Sequence, residues 1–230
     1  MVIVGHRGAM GLAPENTLAS VRKALELDVD MIELDVYALA TGEIVIIHDA
    51  TVDRTTNGTG EVMQKTFAEL RCLDAGDGEK IPTLQEACDL IAGVVSLNIE
   101  LKGPETAEPV ARFIRQLLKN PDWTSEKLLA SSSDHSKLEE FHRLAPELAI
   151  ALLYDEEPID LELARELGAD TISPGLHLVS EGVVASAHQA GKKVFVWTVN
   201  ELPDLKRMLD WKVDGVFTNY PDRAKEVVRS

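Results

Sequence analysis

Met31-Ile32-Glu33-Leu34-Asp35-Val36 reads as a strand with two carboxylates set into it. Successive side chains of a strand point to opposite faces, so Glu33 and Asp35 share one face while Leu34 turns toward an apolar layer. Buried parallel strands normally read as runs of Val, Ile and Leu, so charge inside one needs a reason. The same anomaly recurs. His6-Arg7 closes the run Val2–Gly5, His48-Asp49 closes Ile44–Ile47, and Glu100-Leu101-Lys102 closes the run that begins at Val94. Glu100 and Lys102 again share a face.

Working outward, further short apolar runs lie at Leu128–Ser131, Ala149–Leu153, Thr171–Ser173, Val194–Val199 and Gly215–Thr218. Helical patterns separate most of them. Thr83-x-x-Glu86 is a capping-box pattern, and Val110, Phe113, Ile114, Leu117 and Leu118 recur at helical spacing before Asn120-Pro121 stops them. Gly191 suits the position after a helix, and Pro221 suits the first turn of a terminal one. Strand and helix in alternation over the whole chain predict an α/β fold with a parallel sheet, and this many units predict a closed (β/α)8 barrel.

Two features depart from that pattern. Nine strand-like runs compete for eight barrel places, so one is an extra. Tyr37–Glu43 is too short for a crossover helix; at full extension it reaches roughly 23 Å, enough to run back down the barrel wall as a bare loop. The Gly-, Thr- and Asp-rich stretch over about 49–82 is long for a loop, and long loops are usually functional. It is expected to form a small cap after the third strand, inserted into one barrel domain over residues 1–230.

Composition excludes several classes. The chain has 230 residues, 45% hydrophobic and 27% charged, with 23 Lys+Arg against 39 Asp+Glu for a formal net charge of −16. Such acidity opposes nucleic acid and anionic membrane surfaces as partners. No apolar run approaches the ~20 residues that span a bilayer. Met1–Gly5 lacks a basic or cleavable pattern, so a cytoplasmic location is expected. Cys72 and Cys88 fit no metal motif and read as core or surface thiols.

Burying charges unpaired is costly. Three carboxylates, Glu33, Asp35 and Glu100, against Arg7 and Lys102 leave negative charge in excess. One divalent cation with oxygen ligands, Mg²⁺ or Ca²⁺, is the natural neutraliser. His6 and His48 at the same rim suit proton transfer, because imidazole titrates near neutral pH. His135, His142, His177 and His188 read as surface or structural.

Together, His6-Arg7-Gly8, Pro14-Glu15-Asn16-Thr17, Glu33-Leu34-Asp35-Val36, His48-Asp49, Asp53–Gly60, Ile81-Pro82-Thr83-Leu84, Glu100-Leu101-Lys102, Trp197–Asn200 and Thr218–Asp222 resemble the glycerophosphodiester phosphodiesterase family, in order and spacing, over nearly the whole chain. Leu101, where another aliphatic is common, is the one mild departure. The resemblance implies a TIM-like barrel, a divalent metal on Glu33, Asp35 and Glu100, His6 and His48 as the acid–base pair, and Arg7 and Lys102 on the phosphoryl oxygens. It implies a small glycerophosphodiester substrate and release of sn-glycerol 3-phosphate. It also suggests that Trp197 packs on the glycerol part, against the alternative of a rim or core aromatic. Glu15 and Asn16 are expected to support the site, with Asn16 alternatively a helix cap. The turn-rich Asp53–Gly60 is read as a structured turn. Self-association into a homo-oligomer stays open.

Related activities on the same scaffold, of the lysophospholipase D or lyase type, cut acylated substrates. The stretch over 49–82 carries Asp53, Arg54, Asn57, Glu61, Asp74, Asp77 and Glu79 with Phe67 as its aromatic residue, which favours a water-soluble substrate. A non-catalytic barrel binding phosphorylated ligands would be marked by loss of a His or a carboxylate; all are present.

Overall fold

β1 (Val2–Gly5) pairs in parallel with both β2 (Met31–Ala38) and β9 (Gly215–Thr218), and this double pairing closes the sheet. The structure, a computed structural model, describes residues 1–229. Between β2 and β9 run the parallel staves β4 (Ser96–Leu101), β5 (Leu128–Ser132), β6 (Ala149–Tyr154), β7 (Thr171–Pro174) and β8 (Lys193–Val196). Eight helices follow the eight staves: α1 (Leu18–Glu26), α3 (Leu84–Ile91), α4 (Ala107–Leu117), α5 (His135–Leu144), α6 (Leu161–Glu166), α7 (Glu181–Gln189), α8 (Leu202–Asp210) and α9 (Pro221–Val228). The short α2 (Phe67–Cys72) lies between β3 (Ile44–Ile46) and α3. The architecture is an α/β (β/α)8 barrel of the TIM type.

Alternation along each stave builds two cores. Outward residues such as Ile32, Leu34, Leu97, Ile99, Ile150 and Leu152 are fully buried against helix residues including Val21, Val110, Ile114 and Phe141. The bore is divided. Val4, Phe195 and Phe217 fill one part, with Met31 and Trp197 against them. Glu33, Asp35, Asn98, Ser131 and Ser173, all buried, make another part polar. Local signals act as read: Thr83 accepts from the Glu86 amide at 3.2 Å and Glu86 accepts from the Thr83 amide at 2.9 Å. Pro221 opens α9.

The run Ile44–Ile47 corrects one expectation. β3 pairs antiparallel with β2, with Val36, Tyr37 and Ala38 opposite Ile46, Val45 and Ile44. The chain therefore does not run back down the wall; it turns at once into a hairpin, and β3 is the extra strand beside the closed barrel. Gly42, at φ 103°, makes the turn possible, and the Leu39 and Glu43 backbones close it at 2.8 Å. Side chains of the hairpin then join the segment beyond it. Tyr37, Val45, Ile47, Val52, Val62, Leu70 and Ile81 form a separate small core over the barrel edge.

The β1–α1 turn holds the first charged pair against α1. Gly8 has φ 84°, and a Cβ there would lie 2.4 Å from Ser20 Oγ and 2.6 Å from the Ser20 carbonyl carbon. Backbone cannot yield as a flexible side chain can. Gly8→Ala is therefore expected to cost about 2 kcal/mol or more, lowering the unfolding midpoint by on the order of 4–8 °C. Activity should fall further than stability, because His6 and Arg7 move with the turn. Calorimetry alongside turnover checks both.

Candidate active site

Glu33 and Asp35 on β2 and Glu100 on β4 meet at the C-terminal mouth of the barrel. The β2–β4 register sets Asp35 against Glu100 and Glu33 against Asn98. One oxygen of each carboxylate lies within 4.8 Å of the others. Glu33 Oε1 and Asp35 Oδ1 are buried without hydrogen-bond partners. Burial, then the charges of Asp35 and Glu100, pushes Glu33 well above the usual carboxylate range. Burial and Asp35 likewise raise Glu100 to about 7, although Lys102 opposes them. The cluster is short of positive charge, and its all-oxygen donor set fits a hard divalent cation.

The cations present are already shared. Arg7 Nε lies 3.3 Å from Asp35 and its Nη1 donates to Glu15 at 2.6 Å. The Arg7 amide donates to Glu33 Oε2 at 2.8 Å, which steadies a residue held at φ 50°. Lys102 Nζ sits 2.8 Å from Glu100 and 3.8 Å from Asp35. Burial alone would lower the Lys102 ammonium, but Glu100 and Asp35 raise it on balance. Asn16 Nδ2 donates to Asp35 Oδ2 at 2.8 Å, so Asn16 faces the cluster, while Thr17 caps α1.

The two histidines are each oriented through Nδ1. His6 meets Asn219 Oδ1 at 2.7 Å, and its Nε2 lies 4.0 Å from Glu33. Burial, then the neighbouring Arg7, lowers its pKa to about 4. His48 Nδ1 meets Asp49 Oδ1 at 2.6 Å. His6, Arg7, Glu33, His48, Glu100, Lys102 and Trp197 line one cleft of about 400 Å³. Trp197 donates from Nε1 to the Ser173 carbonyl at 2.7 Å and packs on the apolar part of the bore. It is thus both a wall of the cleft and a bore residue. His135 and His177 bond backbone carbonyls, and His188 pairs with Asp214. None of the three lines the cleft.

Sequence reading missed Asn219, Asp49 and Arg54 as site residues. Arg54 lies in the stretch read as a plain turn, yet it grips two carboxylates. It reaches Glu15 at 2.8 Å through both Nη1 and Nη2, and Asp49 at 2.6 and 3.1 Å. Asp49, held well below the usual range first by Arg54 and then by His48, is the residue that orients His48. Its adjacency to His48 was a usable signal; Asn219, one residue past a barrel strand, was another. Arg54 gave none, because its partner Glu15 is remote in sequence.

Charge of both signs, converging with two imidazoles at the mouth of a (β/α)8 barrel, marks an enzyme of phosphoryl chemistry. The chain belongs to the glycerophosphoryl diester phosphodiesterase family, whose model matches residues 6–223. A glycerophosphodiester phosphodiesterase of Caldanaerobacter subterraneus subsp. tengcongensis is 37% identical over 99% of this chain and 98% of its own. A phosphodiesterase of Oleispira antarctica, solved in complex with the product sn-glycerol-3-phosphate, is 32% identical with a TM-score of 0.92, covering 100% of this chain and 97% of that one. The glycerophosphodiester phosphodiesterase of Agrobacterium tumefaciens is 29% identical with a TM-score of 0.86, covering 99% and 100%. The protein is a hydrolase of this type. Among the described residues no helix is long and apolar enough to cross a membrane.

Burial alone would raise Glu15, but hydrogen bonds and charge from Arg54 and Arg7 bring it down to about 2. A folded-state value below the ordinary 4.5 means that this pairing stabilises the fold above the ordinary value. That stability is lost as pH falls from there toward 2. Glu15→Gln should therefore be less stable than wild type near neutrality and should lose less stability between roughly pH 5.5 and 3.5. Thermal melts across that range check the sign.

Proposed function

We propose that the protein hydrolyses glycerophosphodiesters to sn-glycerol 3-phosphate and an alcohol, using one divalent cation, Mg²⁺ or Ca²⁺, and proton transfer by His6 and His48. The observation that carries this is the carboxylate cluster, three acids within 4.8 Å with two buried oxygens that no hydrogen bond satisfies. Glu33, Asp35 and Glu100 would hold the cation. Bound there, it would offset the carboxylate charge and act as a Lewis acid toward phosphoryl oxygens.

The protein's own groups divide the remaining work. Asn219 Oδ1 can only accept, so His6 carries its hydrogen on Nδ1 and presents the Nε2 lone pair to the cleft. Held down to about 4, it is neutral near pH 7 and able to take the proton of the attacking hydroxyl. His48, oriented through Nδ1 by Asp49, is placed to give a proton to the leaving oxygen. Arg7 and Lys102 face the phosphoryl oxygens: Arg7 as a planar fork, Lys102 as a point charge that also balances Glu100. Trp197 lines the side of the cleft where the glycerol part would pack. Val62 and Leu70 of the cap are buried in its own core, and Phe67 packs against that core. This arrangement favours a water-soluble substrate over an acylated one.

EDTA should abolish turnover of glycerophosphocholine, and Mg²⁺ or Ca²⁺ should restore it. His6→Ala and His48→Ala should each lose on the order of 10²–10⁴-fold in kcat, with unfolding midpoints near wild type. Near-wild-type turnover in either variant would remove that histidine from the reaction.

Lys102→Met should weaken both cation affinity, read by calorimetry, and turnover. Arg7→Lys should fail to reach wild-type kcat/KM, because an ammonium cannot contact two phosphoryl oxygens at once. Full activity in Arg7→Lys would show that the fork is not used.

A further inference from the structure

Asn98 sits in the middle of β4, on the inward face, two residues before Glu100 and in register with Glu33. Its exposure is 0%, and neither Nδ2 nor Oδ1 has a hydrogen-bond partner. A buried amide with both ends unpaired is unfavourable for folding, and an apolar side chain such as Leu, with the same number of heavy atoms, would remove that cost. Elsewhere the bore is filled in that way, by Val4, Phe195 and Phe217. What distinguishes the surroundings of Asn98 is the acids. Paired strands lie ≈ 4.7–4.9 Å apart and residues two apart share a face, so Asn98 underlies both Glu33 and Glu100. Glu33 Oε1 and Asp35 Oδ1 on the neighbouring strand are buried without a hydrogen bond, and of the two Asp35 Oδ1 has Lys102 at 3.8 Å.

We infer that Asn98 is a positioning residue of the cation site: its amide holds Glu33 and Glu100 at the angle a bound cation requires. The amide supplies two N–H donors and one acceptor, so it can donate to a carboxylate oxygen that the cation leaves free. Groups just behind metal ligands fix ligand orientation in this way. Ser131, buried with an unpaired Oγ and in register with Glu100, continues the same polar floor. The inference rests on the cation reading above.

The test compares wild-type enzyme with Asn98→Leu, titrating Mn²⁺ by electron paramagnetic resonance and melting each protein in EDTA. Mn²⁺ affinity should fall about 10–100-fold, while the metal-free melting temperature stays level or rises. Saturating Mn²⁺ should return much of the lost turnover. That opposition of sign separates positioning from packing, since a packing residue would lose stability. Where Asn98→Leu fails to fold, Asn98→Ala carries the affinity readout, with the same loss and the same recovery at saturating Mn²⁺ expected. An Mn²⁺ affinity equal to wild type, or a metal-free melting temperature of Asn98→Leu that drops in step with affinity, overturns the inference alone. Wild-type enzyme that binds no Mn²⁺ overturns the cation reading and this inference together.

Discussion

Like charges about 4 Å apart at a partly buried site repel by roughly 4 kcal/mol, and Glu33, Asp35 and Glu100 form three such pairs within 4.8 Å. Much of the mouth of the barrel responds to that repulsion. Asp35 receives the most help: Arg7 at 3.3 Å, Lys102 at 3.8 Å and the Asn16 amide at 2.8 Å. Glu33 receives the Arg7 amide and Glu100 receives Lys102. The deficit therefore falls on Glu33 and Glu100, the two whose proton affinity burial and their neighbours raise. Carboxylates crowded together with fewer positive partners than charges are the physical case for a ligand here.

A second set of charges ties the segment beyond the hairpin to the barrel. His48 does not stand on a barrel stave; it follows β3, a hairpin strand beside the closed cylinder. Its placement relative to His6 depends on how firmly the cap meets the barrel. Ile47 donates to the Asp35 carbonyl at 3.0 Å, which fixes the base of the hairpin. Arg54 fixes the outer side, bridging Asp49 beside His48 to Glu15 beside Arg7. Single exposed ion pairs contribute little, but a guanidinium engaged by two carboxylates restrains both in direction as well as distance. Glu15 thus links Arg7 on the barrel to Arg54 beyond the hairpin.

The barrel was legible because its staves obey simple alternation. Glu33-Leu34-Asp35 announced which face was inward before any fold was known, and Glu100 and Lys102 followed the same rule. The hairpin was harder to read. Ile44–Ile47 has the composition of a buried stave, and composition does not distinguish parallel from antiparallel pairing. The signal was the turn residue Gly42, which a reading based on crossover length passed over. Arg54 and Asn219 belong to a different class. Their roles depend on contacts with Glu15 and His6 that exist only after the barrel closes, so local pattern could place Asn219 at the end of a strand and Arg54 in a turn but could name neither partner. Asn98 was hidden by its neighbours, since Ser96, Asn98 and Glu100 alternate with Leu97, Ile99 and Leu101 in an ordinary strand pattern.

Charge at the mouth finally bears on how an acidic protein accepts an anionic substrate. The formal net charge of −16 is spread over the surface, and salt screens it beyond about 8 Å. What the substrate meets is local. Arg7 and Lys102 are the two cations lining the cleft among the described residues, and each is already paired with carboxylates of the cluster. Glu33, Asp35 and Glu100 outnumber these two cations, and Asp155 lines the same cleft, so an anion meets no surplus of positive side chains there among the described residues. On the proposed reading, one divalent cation held by the cluster would offset the carboxylates that engage both side chains. On that proposal, the carboxylates that repel a phosphodiester are the same groups that would hold the cation that attracts it.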